Sequence, residues 1–232
     1  MAYGKIKKTV VLSLGGSIII PGNINTAYLK KFKLLILGLV KNGYRFIIVT
    51  GGGEICRHYQ KGAQEVNPKI SSNDLDWIGI SATKYNAELV RAIFSSYAYP
   101  KILDNPNKKA STPRKILIGS GWKPGCSSDK DAVMLARTYG AMTLINLSNI
   151  KYVYTADPHK DRTAKKIEKM SWDNLLKLTG KKWKPGAHVP FDPEASKLAQ
   201  KIGLSVVICL GNDLPNLRSI IAGKRYQGTT IA

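Results

Sequence analysis

Three short apolar runs in this chain each end in a glycine-rich turn, and that repetition constrains the fold more than any other feature. Thr9–Leu14 (TVVLSL) runs into Gly15-Gly16-Ser17, Arg45–Thr50 (RFIIVT) into Gly51-Gly52-Gly53, and Lys115–Ile118 (KILI) into Gly119-Ser120-Gly121. Between the first two lies a stretch, Thr26–Asn42, whose apolar residues Tyr28, Leu29, Phe32, Leu35, Ile36, Leu39 and Val40 follow a helical period, with Gly43 as its stop. Strand, glycine loop and helix in succession predict an α/β fold on a parallel sheet. In such a sheet, sites form outside the carboxyl ends of the strands. Glycine there lets backbone N–H groups approach a phosphate with no Cβ in the way, and a helix N-terminus behind the loop adds a favourable dipole. A single loop of this kind is usually just a turn. Three in register predict a phosphate site.

The same style continues downstream. The loop Gly119–Ser128 leads into a helix expected from about Asp129 to Tyr139, stopped by Gly140. Met142–Leu147 reads as a strand and Tyr152–Tyr154 as a short one, before a turn at Thr155-Ala156-Asp157-Pro158. Asp192-Pro193-Glu194 combines an N-cap carboxylate, a proline in the first turn and a first-turn acid, a strong helix start. Gly203 ends that helix. Leu204–Leu210 then reads as a strand, Pro215–Ala222 as a last helix and Gly228–Ala232 as an edge strand. Asn105–Arg114 and Lys181–Val189 are the two segments expected to be mobile loops.

Composition narrows the class. A chain of 232 residues with 44% hydrophobic and 22% charged residues suits one domain or two closely packed lobes. The opening lysines are followed by an apolar run broken at Ser13 and Gly15, which is no signal peptide. The apolar helical stretch Phe32–Val40 is too short to span a bilayer. Cys56, Cys126 and Cys209 are far apart, odd in number and at no metal-ligand spacing, which reads as free thiols in a reducing cytosol. The formal charge of +21 is unusual. It favours anionic substrates first and nucleic acid second, with a generally lysine-rich surface as a third reading. The lysines are scattered, and no aromatic–basic pattern of the RNA-recognition type occurs.

Familiar phosphate motifs are missing: there is no G-x-x-x-x-G-K-[ST], Pro124 stands where a dinucleotide fingerprint needs its third glycine, and no protein-kinase signature occurs. The motifs that are present run in the order LSLGGS (12–17), VTGGGEICR (49–57), DWIGISATKYNA (76–87), GSGWKPGCSSD (119–129), YTADPHKDRTAKKI (154–167) and FDPEASKLA (191–199). Together they resemble the amino-acid-kinase superfamily and, within it, the UMP kinases of archaeal type, over nearly the whole chain.

The resemblance implies a three-layer α/β/α domain around an open, mostly parallel sheet. Roughly residues 1–145 would take the phosphate acceptor and 146–232 ATP. It implies transfer of the γ-phosphate of ATP to UMP in pyrimidine nucleotide biosynthesis, with Mg²⁺ accompanying ATP, in a cytoplasmic homohexamer with no membrane or nucleic-acid partner. Carried onto this chain, it puts Gly16, Ser17, Gly53 and Arg57 at the ATP phosphates and Ser148, Asn149, Tyr154 and Asp157 at the adenosine end. UMP would meet Gly52, Asp76 and the loop Gly121, Trp122, Lys123, Pro124, Gly125, Cys126 and Ser127, with Ser128 beside it. Arg57 and Asp129 would be catalytic.

Each residue has a plainer reading. Arg57 offers a planar fork of donors suited to phosphate oxygens, or a surface salt bridge. Asp76 suits ribose hydroxyls, or N-caps a helix Trp77–Ile93. Tyr154 packs along adenine or fills core, Asp157-Pro158 is a site or only a turn, and Asp129 orients substrate or is a first-turn helix acid. Asp192 is read chiefly as an N-cap. Ser13 and Asn149 stand where bacterial relatives carry lysines. The transition-state charge would then fall to Mg²⁺, Arg57, backbone N–H groups and a lysine such as Lys7 or Lys123. Trp122, Lys123 and Cys126 are unusual in a UMP loop. The rival readings are a kinase for another small phosphate such as isopentenyl phosphate, whose relatives carry a histidine after the glycine triplet where Arg57-His58 stands here, and a non-catalytic nucleotide- or oxyanion-binding protein.

Overall fold

Alternation along the first strand, β1 (Thr9–Leu14), organises the architecture. Val10, Leu12 and Leu14 enter one apolar core and Val11 the other, so the strand is buried on both faces, as a parallel strand between helix layers must be. The computed structural model describes residues 8–158, 160–180 and 189–232. After β1 come α1 (Gly16–Ile19), α2 (Thr26–Lys41), β2 (Arg45–Thr50), α3 (Gly53–Val66) and α4 (Ser72–Phe94). Next are β3 (Ile116–Gly119), α5 (Ser128–Tyr139), β4 (Thr143–Ser148), β5 (Val153–Tyr154), β6 (Lys166–Ile167) and β7 (Lys169–Met170). The chain closes with α6 (Trp172–Thr179), α7 (Pro193–Lys201), β8 (Ser205–Leu210), α8 (Leu214–Ile221) and β9 (Thr229–Ile231).

Among the described residues the main sheet has the order β3-β2-β1-β4-β8-β9-β7, and only the β8–β9 pairing is antiparallel. One face carries α2, α4 and α8, with Phe32, Ile36, Val90, Phe94 and Leu217 in its core. The other carries α5, α6 and α7, with Leu135, Trp172, Leu175, Phe191 and Ala199. This is the expected three-layer α/β/α arrangement.

Several expectations need correction. Gly228–Ala232 is not an edge: β9 lies between β8 and β7, and the two-residue β7 takes the outer position. Helix α6 was not anticipated, although Ser171 caps it by accepting from Asn174 N at 3.3 Å and Trp172 and Leu175 anchor its buried side. Asn105–Arg114 is tied down. Thr138 Oγ1 donates to Pro106 O at 2.6 Å, Arg137 Nη2 to Asn107 Oδ1 at 3.1 Å, and Ala110 N to Tyr139 Oη at 2.9 Å. A polar, proline-containing segment looks mobile in sequence because its partners sit far along the chain, on α5. The other expected loop, Lys181–Val189, lies outside the described residues except for Val189.

Candidate functional site

Parallel pairing of β1 with both β2 and β4 brings their carboxyl ends level, Leu14 standing opposite Thr50 and Leu147. The loops that leave them are stitched through backbone hydrogen bonds. Gly51 N donates to Leu14 O at 2.9 Å, Gly15 N to Leu147 O at 3.0 Å, and Gly211 N, just past β8, to Ser148 O at 2.7 Å. Gly16 and Gly53 meet backbone to backbone. A Cβ on Gly16 would lie 2.3 Å from Gly53 N, and one on Gly53 only 2.4 Å from the Gly16 carbonyl carbon. Gly53 also has φ +68°, where a side chain is strained whatever the space. Two of the three glycine loops are therefore interlocked, and neither is a plain turn.

Helix α3 starts at Gly53, so the start of its second turn projects Arg57 back toward α1. Arg57 Nη2 donates to Ser17 Oγ at 3.3 Å. The guanidinium is exposed and no carboxylate pairs with it among the described residues, so the salt-bridge alternative does not describe it. Its neighbour His58 turns to Glu54, 3.6 Å away on the exposed side of α3.

Helix α4 positions the loops from one polar stripe. Asn86 Nδ2 donates to Gly51 O at 2.7 Å and to Gly52 O at 3.3 Å. Thr83 Oγ1 accepts from Gly121 N at 2.8 Å, and Asp76 Oδ2 accepts from Gly125 N at 2.8 Å. Residues 76, 83 and 86 are seven and three apart, hence on one helix face. Asp76 is not an N-cap. The helix begins five residues earlier than Trp77, because Ser71 accepts from Asp74 N at 3.1 Å and donates to Asp74 Oδ2 at 2.6 Å, a reciprocal cap. Asp76 is thereby freed to face the loop Gly121–Ser127. Within that loop Gly125 takes φ +76°, Cys126 N donates to Lys123 O at 3.1 Å, and the Lys123 ammonium sits 4.2 Å over the Trp122 ring. Pro124 lies at the turn between them. Ser127 then caps α5 by accepting from Lys130 N at 3.2 Å, with Ser128 the first helical residue.

Strand alternation explains the neighbouring carboxylate. Ser13 shares the face of Val11, toward α5, and its Oγ donates to Asp129 Oδ1 at 3.3 Å. Asp192 N, at the start of α7, donates to Asp129 Oδ2 at 3.3 Å. Asp129 thus bridges β1 and α7, which a plain helix acid would not do. Asp192 itself is the N-cap expected of it, accepting from Ala195 N at 2.7 Å. Burial, with the Asp192 charge adding to it, pushes Asp129 from 3.8 up to about 7, and burial does the same to the fully enclosed Asp131. Burial also raises the thiols of Cys56 and Cys126, which argues against either as a nucleophile.

On the other side of the sheet's carboxyl edge, Ser148 ends β4 and donates through Oγ to Asn149 Oδ1 at 3.3 Å. Tyr154 lies on β5, paired with Lys166 of β6, and the Asp157 carbonyl accepts from Lys160 N and Asp161 N in the following turn. Gly16, Ser17, Gly53 and Arg57 are gathered tightly, and Gly52, Asp76 and residues 121–128 form a second group beside them. Ser148 and Asn149 share the edge with Gly15, while Tyr154 and Asp157 follow it on the hairpin.

The amino acid kinase family model matches residues 8–209. The chain belongs to the amino acid kinase family. Among amino acid kinases, the uridylate kinase of Pyrococcus abyssi (strain GE5 / Orsay) is 33% identical over 227 residues, covering 96% of this chain and 98% of its own. That of Methanocorpusculum labreanum is 31% identical, with 96% and 94% covered. The crystal structure of uridylate kinase from Archaeoglobus fulgidus superposes with a TM-score of 0.82 at 30% identity, covering 96% and 99%. The fold extends to UMP kinase from Bacillus anthracis, TM-score 0.76 at 21% identity.

Four residues of this amino acid kinase were not singled out from sequence: Thr83, Asn86, Asp131 and Gly211. The helical spacing of Asp76, Thr83 and Asn86 was a usable signal. Asp131 gave none, since an acid in a first turn ordinarily faces water.

The raised carboxyls carry a pH prediction. In the unfolded chain both ionise near 3.8, and in the folded chain only near 7. Between those values the folded state holds more protons, so this contribution falls as pH rises and its cost is fully present above 7. For Asp131 the cost is at most about 4 kcal/mol. Asp131→Asn should therefore melt increasingly above the wild type as pH goes from 5.5 to 8. A constant melting difference over that range would contradict the assignment.

Proposed function

We propose that this amino acid kinase is a UMP kinase, which transfers the γ-phosphate of ATP to UMP to give UDP and ADP. The observation that carries the reading is the near-full-length likeness to relatives named uridylate kinase, 33% identical over 96% of the chain in one of them. The geometry supports it. Arg57 and Ser17 meet across the interlocked glycine loops, and Asp76 stands at the loop proposed to hold UMP.

In this reading the ATP phosphates lie over Gly16, Ser17 and Gly53, and adenosine lies toward Ser148, Asn149, Tyr154 and Asp157. UMP lies against Gly52, Asp76 and residues 121–128. The acceptor side is residues 1–145 and the ATP side 146–232, although the sheet runs unbroken through β4 between them. Phosphoryl transfer needs in-line placement and charge neutralisation more than a covalent group. Mg²⁺ belongs to the substrate, as MgATP. Arg57 supplies forked donors to the moving phosphoryl oxygens, and the glycine N–H groups hold its flanks. Ser13, where bacterial relatives carry a lysine, keeps Asp129 hydrogen-bonded, so Asp129 orients the junction of β1, α5 and α7 beneath the phosphates. Lys123 is engaged over Trp122, and Lys7 lies outside the described residues. Exposed Tyr59 and Tyr85 on α3 and α4 offer faces for the homo-oligomer, a hexamer by family likeness. No described helix is long and apolar enough to cross a membrane, and a cytoplasmic setting is part of the proposal.

The isopentenyl phosphate alternative loses ground because Arg57, and not His58, reaches Ser17, while the exposed His58 stands 3.6 Å from Glu54. The test is ADP release with MgATP over a panel of nucleoside monophosphates and isopentenyl phosphate. UMP is expected far ahead of every other acceptor. Comparable turnover of AMP, or none with any acceptor, would overturn the reading.

A further inference from the structure

The loop Gly121–Ser127 is held through three backbone N–H groups, and each goes to a different side chain. Gly121 N donates to Thr83 Oγ1, Gly125 N to Asp76 Oδ2, and between them Trp122 N donates to Asp131 Oδ2 at 3.1 Å. The first two supports come from α4. Asp131 comes from α5, on the other side of the sheet, and is completely buried. Its second oxygen, Oδ1, is also buried and has no hydrogen-bond partner. Thus the Trp122 N–H is the one hydrogen bond this carboxyl accepts among the described residues.

A buried carboxyl with a single partner is a poor device for stability. Well-packed apolar side chains in such positions are commonly as stable or more so. Its neighbours are Lys130 on the same helix, whose charge eases its ionisation, and Cys126 in the loop, and Oδ1 is hydrogen-bonded to neither. What Asp131 does achieve is geometric. It holds the peptide that carries the Trp122 ring and, stacked on that ring, the Lys123 ammonium. The Trp122 side chain is only half-buried, so ring and ammonium stand at the loop's open side.

We propose that Asp131 is a positioning residue for the phosphate acceptor: by holding the Trp122 N–H, it sets where the Trp122–Lys123 pair meets the nucleoside monophosphate. A cation over an aromatic ring suits an anionic ligand that carries a flat base, since the ring's edge can pack while the ammonium meets negative charge. The inference rests on the UMP reading, and it makes this loop a determinant of acceptor affinity rather than of ATP affinity.

The experiment compares wild type, Asp131→Leu, Asp131→Ala and Asp131→Asn, with KM for UMP and for MgATP measured separately and melting temperatures recorded. Asp131→Leu and Asp131→Ala lose the acceptor oxygen, and each should raise KM for UMP about tenfold while KM for MgATP changes less than about twofold. Asp131→Asn keeps a carbonyl oxygen for Trp122 N–H and should restore the UMP value to near wild type. Asp131→Leu should melt at or above the wild type at pH 8, which separates lost positioning from lost folding. Should Leu fail to fold, Ala and Asn still decide the matter. Unchanged KM for UMP in the Ala variant, an equal rise in both KM values, or no recovery with Asn would overturn the inference. A wild-type enzyme that turns over no UMP would instead defeat the underlying functional reading.

Discussion

Gly53→Ala is expected to abolish UMP phosphorylation, with kcat/KM falling by at least about a hundredfold, because one methyl group cannot enter the contact between the glycine loops. Two effects add. At φ +68° a non-glycine residue costs on the order of 1–2 kcal/mol. The new Cβ would also sit 2.4 Å from the Gly16 carbonyl carbon and 2.8 Å from Ser17 N, both rigid backbone. Relief requires the β1 and β2 loops to part, which displaces the N–H groups proposed for ATP. A misplacement of about 1 Å at reacting groups costs on the order of a hundredfold in rate. Gly62→Ala in α3 and Gly38→Ala in α2 are the controls, since a Cβ at either meets nothing within 4 Å. Those changes should be neutral or stabilise by about 0.5–1 kcal/mol, from the better helix propensity of alanine. Steady-state ADP release and thermal melts on the three variants check the contrast. Retained activity in Gly53→Ala would mean that the loop contact is not part of the working site.

Arg57→Ala carries the second large effect. Removal of one preorganised donor to a developing oxyanion typically costs about 10²–10³ in kcat. Arg57 is exposed and its one described hydrogen bond is to Ser17, so folding stability should change by no more than about 0.5 kcal/mol. Arg57→Lys should recover little, because an ammonium cannot reproduce the fork of a guanidinium. Coupled ADP release with saturating UMP and MgATP is the measurement, and turnover equal to wild type would remove Arg57 from the catalytic role.

Much of the fold was legible. Strands β1, β2 and β8 and helices α2, α5 and α7 fall within two residues of their expected positions, because each combines clear periodicity with a recognisable end signal such as Asp192-Pro193 or Gly140. Short elements were less legible. Of the two-residue strands, β5 falls within the expected Tyr152–Tyr154, while β6 and β7 carry no period, and the eight residues of α6 span only about two helical turns. Asn105–Arg114 reads as mobile in sequence because the groups that hold it, on Arg137, Thr138 and Tyr139, are remote along the chain.

The glycine loops divide the same way. Sequence alone determined that three glycine turns follow three strands, that none is a Walker or dinucleotide loop, and that Arg57 lies four residues past one of them. Those are matters of residue type and local spacing. Only the tertiary structure decided that Gly16 and Gly53 touch and that Arg57 reaches Ser17. It also decided that Ser13 faces Asp129, and that the third loop hangs from Thr83, Asp76 and the buried Asp131. All but the Asp131 contact, which spans nine residues, depend on which strands lie side by side and which helix face turns inward, and they join residues up to 116 apart in the chain.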